Sequence, residues 1–75
     1  MNFEVEFFIA AYTQSFGRDG AEKIINDALS VLKLTESQLS EENALKLCDY
    51  FKAQSGTVRT IANLLASRIL LRKFM

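Results

Sequence analysis

Residues 16–25 read FGRDGAEKII, and whether this stretch is a working loop or a corner decides how the chain is divided into helices. One helical apolar pattern runs up to Phe16, and a second begins within a few residues of Gly20. Gly17 stands where a helix ending at Phe16 needs a left-handed residue, a backbone that glycine adopts without steric cost. Asp19, three residues before Glu22, is a candidate N-cap for the second helix. The stretch predicts a corner of an αα-hairpin.

Gly17-Arg18-Asp19-Gly20 also satisfies the bare G-x-x-G of the loop with which KH domains hold single-stranded nucleic acid. The match stops there. Lys23 occupies the place of the first isoleucine after that loop, and Asp19 meets phosphates with the wrong sign. The strands such a domain needs have no counterpart. Period-2 alternation is confined to the brief FEVEF at 3–7.

Outward from the corner, apolar periodicity predicts four helices. In the first, about 3–16, Val5, Phe8, Ile9, Tyr12 and Phe16 form a core stripe, with Phe3 and Phe7 roughly opposite. The second, about 20–33, is amphipathic, with Ala21, Ile24, Ile25, Ala28, Leu29, Val31 and Leu32 on its apolar side. Thr35 with Gln38 fits a capping box and Leu34 with Leu39 a hydrophobic staple, which predicts a short extra helical turn near 35–39. Ser40 then caps a helix over about 41–54, with Glu41 and Glu42 in a first turn that favours negative charge. Ala44, Leu47, Cys48 and Phe51 make its inner stripe. After Ser55-Gly56, Thr57 is expected to cap the last helix, about 57–73. Its main stripe is Val58, Ile61, Ala62, Leu65 and Ile69, with Leu64 and Leu71 on a second one. The expected fold is an all-α, small four-helix bundle in one domain over residues 1–75.

Composition narrows the function. With 75 residues, 49% of them apolar, the chain has a small core and much apolar surface left over. One cysteine, Cys48, permits no intrachain disulfide, and the absence of histidine removes the commonest metal ligand and general base. Neither Glu4/Glu6 nor Glu41/Glu42 converges as acid–base catalysis requires. No catalytic residue, metal, cofactor or small-molecule substrate is expected. Nine basic and nine acidic side chains cancel, so the chain as a whole is no electrostatic ligand for nucleic acid.

The charges are unevenly spread. Arg59, Arg68, Arg72 and Lys73 fall in the last helix without an acid among them, while Glu36, Glu41, Glu42 and Asp49 fall between 35 and 49. Pairing between neighbouring helices is the simple reading. Contact of the four basic residues with an anion or a nucleic-acid backbone is the alternative, helped by the helix-turn-helix silhouette of 41–73 around QSGT. A membrane role is not expected, because IANLLASRILL is shorter than the about 20 residues of a span and contains Arg68. MNFEVEFF is acidic where a signal peptide is basic, so a cytoplasmic location is expected.

What remains is surplus apolar surface: Phe3 and Phe7 on the first helix, Leu64 and Leu71 on the last, with Phe74 nearby. The chain is expected to be a small non-enzymatic regulatory or adaptor module. It should work through protein–protein contacts on that patch, as a homodimer or with a protein partner.

Overall fold

A computed structural model describes residues 2–35 and 37–73, the last two by backbone alone. In chain order it contains strand β1 (Asn2–Glu4), helix α1 (Val5–Leu32), strand β2 (Gln38–Ser40), helix α2 (Glu41–Lys52) and helix α3 (Thr57–Lys73). The expected four-helix bundle is corrected: among the described residues there are three helices and a two-stranded antiparallel sheet.

Two local events make the difference. The first is at Gly17, which sits inside α1 with φ 75° and ψ 166°. The chain bends at that one residue, so no loop separates 3–16 from 20–33, and Asp19 lies within the helix instead of capping one. A straight helix would hold residues twelve apart about 18 Å from each other. Here Arg18 donates to both carboxylate oxygens of Glu6, at 2.6 and 2.8 Å, so the bend is sharp. Its Nε donates to Glu22 at 2.8 Å, and one guanidinium thereby clips the two sides of the bend. The clip is half exposed, so solvent screening keeps its contribution to stability small.

The second event is a strand pair. Asn2, Phe3 and Glu4 face Ser40, Leu39 and Gln38 in antiparallel register. In each strand the middle residue is buried and its neighbours are exposed, so Phe3 and Leu39 point into the core as one cross-strand pair. The helical turn expected near 35–39 gives way to this ladder. Val5 N–H, a first-turn donor of α1 with no partner inside the helix, donates to the Ser37 carbonyl at 2.9 Å. β1 runs directly into α1 and β2 into α2, so the sheet ties the starts of both helices together.

The remaining ends obey local chemistry. Ser40 Oγ accepts the Asn43 N–H at 3.2 Å, the expected cap of α2, ahead of Glu41 and Glu42. For α3 the Gly56 carbonyl accepts the first helical bond, from Thr60 N–H at 3.2 Å, so Gly56 takes the N-cap place expected of Thr57. α1 closes in a Schellman turn: Lys33 and Leu34 N–H groups donate to Ser30 and Leu29 carbonyls at 3.2 and 2.9 Å. The left-handed position, φ 59° and ψ 38°, is filled by Lys33, where a Cβ is unfavourable. Lys33→Gly should therefore raise stability by about 0.5–1 kcal/mol, read as a higher urea midpoint at unchanged slope.

The core joins every element. Phe3 and Leu39 from the sheet meet Phe8, Ile9, Tyr12, Ala21, Ile25 and Ala28 of α1. Ala44, Leu47, Cys48 and Phe51 of α2 and Ala62, Leu65, Ala66 and Ile69 of α3 complete it. Phe51 stands 5.2 Å from the Tyr12 ring and 5.6 Å from Tyr50, in tilted and edge-on contacts typical of aromatic pairs.

Candidate interaction surface

The face of α3 turned from this core is apolar in part. Leu64 and Leu71 are 59% and 62% exposed, although both are large hydrophobic residues. Seven residues is two turns less about 20°, so the two leucines stand one above the other, about 10 Å apart. Thr57, Thr60 and Ser67 are exposed on the same side. Leu70, 44% exposed, lies on the flank.

The first and last helices run side by side, as their place at the chain ends suggests. Tyr12 Oη donates to the Val58 carbonyl at 2.9 Å. A groove of about 280 Å³ between them is lined by Ala11, Gln14, Ser15, Ile61, Leu64, Leu65 and Arg68. Leu64 forms part of its wall, so the exposed stripe of α3 is continuous with the flank of α1.

The structure does not bring the sequence-derived patch together as a whole. Phe3 is only 2% exposed and belongs to the core through β1, so it is withdrawn from the surface. Phe7 is half-buried, with its ring 6.0 Å from Phe3 and edge-on to Phe8 at 5.3 Å. Phe74 lies outside the described residues. Among the described residues, three large exposed apolar side chains fall outside the expected patch: Val31 (61%), Leu70 (44%) and Phe16 (38%). The sequence puts Val31 on the apolar side of the second helix, but it lies about 120° around from the buried Ile25, at the margin of that side, and is left in solvent. The sequence puts Phe16 on the core stripe, but beside the bend its ring is only partly covered, 6.1 Å from the Tyr12 ring.

The basic residues do not form one face. Arg59 and Arg68 are nine residues apart on α3, which turns them to opposite sides, and both are exposed. The side chains of Arg72 and Lys73 lie outside the described set. Of the acids of α2, Glu42 and Asp49 pair along their own helix, with Lys46 at 3.8 Å and Lys52 at 4.0 Å.

Buried titratable groups are held neutral. Burial pushes the Cys48 thiol up to about 11, with Asp49 adding to the rise and Lys52 opposing it. Burial likewise raises the Tyr12 phenol well above its ordinary value. At the surface, the hydrogen bonds from Arg18 hold the Glu6 carboxyl below its usual range. Among the described residues no group of three or more acidic or cysteine side chains could hold a metal, and no helix is long and apolar enough to cross a membrane. Comparison with family models, curated proteins and solved structures finds no match.

Proposed function

We propose that this chain is a small non-enzymatic interaction module that self-associates through the exposed face of α3. The observation carrying this reading is the exposure of Leu64 and Leu71 on one side of a regular helix. Covering a leucine is worth about 1.5–3 kcal/mol, so a pair left in water on one stripe favours a partner. Support for a non-enzymatic role comes from the described core, whose buried side chains are apolar apart from the Tyr12 hydroxyl and the Cys48 thiol. A thiol held protonated and out of solvent is a poor nucleophile. A reducing, cytoplasmic setting is part of the proposal, since the chain has a single cysteine.

The test is molar mass by light scattering across a concentration series. The unaltered protein should approach the mass of a dimer, and Leu71→Asp should return it to 8.5 kDa. Because Leu71 is exposed, the same substitution should leave the unfolding free energy within about 0.5 kcal/mol of the parent at a dilution where the parent is monomeric. A parent that stays at monomer mass near millimolar concentration overturns the proposal.

A further inference from the structure

We propose that two copies pair their α3 helices antiparallel, in the register that sets Leu64 of each copy against Ser67 of the other and Leu71 against Thr60. This inference rests on the self-association reading above and names its geometry.

The pattern that carries it is the spacing and size of the exposed residues. Thr57, Thr60, Leu64, Ser67 and Leu71 recur at intervals of three, four, three and four, and all are exposed. That is the period of a helix–helix seam, which keeps one stripe facing a partner helix at a shallow crossing angle. Along the stripe, positions at the second and fourth steps are small and those at the third and fifth are leucine. A parallel pair in register would put Leu on Leu and Ser on Ser, spreading the helices at one level and leaving a void at the next. Antiparallel pairing matches large with small at every level. The pairs Leu64/Ser67 and Thr60/Leu71 share one centre, the point between Leu65 and Ala66, so a single two-fold axis satisfies both at once.

Charge selects the same direction. α3 holds no acid, and three of its four basic residues, Arg68, Arg72 and Lys73, lie in its last six positions. Parallel pairing would set these clusters side by side. Antiparallel pairing sends Arg72 and Lys73 to opposite ends, each about 20 Å along the axis from its own copy and beyond the Debye length of about 8 Å at physiological salt, and leaves only Arg68 nearer, about 8 Å along the axis from its copy. Arg59 falls level with Arg72 of the second copy, but it lies about 140° around from Leu64 and so on the side turned from the seam. The opposed helix dipoles add in the same sense. The seam offers five side chains per copy where a standard interface has about 20–30 residues a side, so assembly is concentration-dependent.

Disulfide trapping reads the register. In a Cys48→Ala background, Leu64→Cys and Ser67→Cys proteins are oxidised alone and as a mixture, at a concentration where light scattering finds the reduced variants dimeric. The mixture should yield several-fold more crosslinked dimer than either protein alone, and Thr60→Cys with Leu71→Cys should repeat the result. Cα separations of about 4.4–6.8 Å are needed, which only facing positions of a closely packed pair provide. Efficient trapping of Leu64→Cys with itself means a parallel seam and overturns the proposal while self-association stands. A dimer with no preference for the mixed pairs overturns it in the same way. If the parent and variants are monomeric throughout, both readings fall together.

Discussion

Replacing Phe3 by alanine should lower the unfolding free energy by about 3–5 kcal/mol, the range for removing a fully packed phenylalanine. A fold of this size has only about 5–15 kcal/mol in total, so the variant stands near the edge of folding at 37 °C. The loss comes from three sources acting at one residue. Phe3 is 2% exposed, and its strand partner Leu39 is fully buried beneath the same core. Its ring also packs against Phe7 at 6.0 Å. Finally, a ladder of three residues a side cannot hold itself together without an apolar anchor, so β1 should fray when the anchor goes. Urea denaturation monitored by circular dichroism measures the free energy, and hydrogen exchange at the Val5 amide tracks the ladder, since that N–H bonds to Ser37. The interface role expected from sequence makes the opposite forecast: lower molar mass, and an unfolding free energy of the dilute monomer shifted by no more than about 0.5 kcal/mol. Observing that pattern would place Phe3 on the surface and β1 unpaired.

The contrast between Phe3 and Leu64 shows which parts of the fold a single sequence exposes. α2 and α3 are regular helices whose apolar period is local, and their inner residues, from Ala44 to Phe51 and from Ala62 to Ile69, are where the period puts them. The Ser40 cap is equally local, because serine ahead of two glutamates needs only its own next three residues. Leu64 and Leu71 were legible for the same reason. Phe3 was not, because its partner Leu39 is 36 positions away and nothing in either segment names the other. The alternation in FEVEF was the one trace of the strand. Val5 and Phe8 fit a helix as well, and carrying the helical phase back to residue 3 turned Phe3 to the wrong side. Two-fold alternation instead sends Phe3 inward and Glu4 out. Period reports which face of an element is buried only after the element type is known.

Gly17→Ala should destabilise the fold by about 1–3 kcal/mol, and Gly17→Asn should do the same. The pair is informative because the sequence and the structure place Gly17 in different backbone regions. A left-handed helix-end residue, as the sequence suggested, has ψ near 45°, and asparagine tolerates it well. The observed ψ is 166° at φ 75°, a region that is essentially glycine's alone, so asparagine offers no relief. Crowding plays no part, since a Cβ at Gly17 would meet nothing within 4 Å. The whole effect therefore lies in the backbone. A side chain can escape only if φ turns negative, and that swings residues 18–32 away from 5–16. The Arg18–Glu6 clip then opens, and the Glu6 carboxyl, held low mainly by that hydrogen bond, should return upward towards 4.5. A lowered carboxyl contributes stability above its unfolded pKa and loses it as pH falls through the folded value. The parent should lose this increment on acidification and Gly17→Ala should not, a difference that NMR titration of Glu6 reads directly. Full rescue by asparagine, with the Glu6 titration unchanged, would mean that the bend is a left-handed helix end after all.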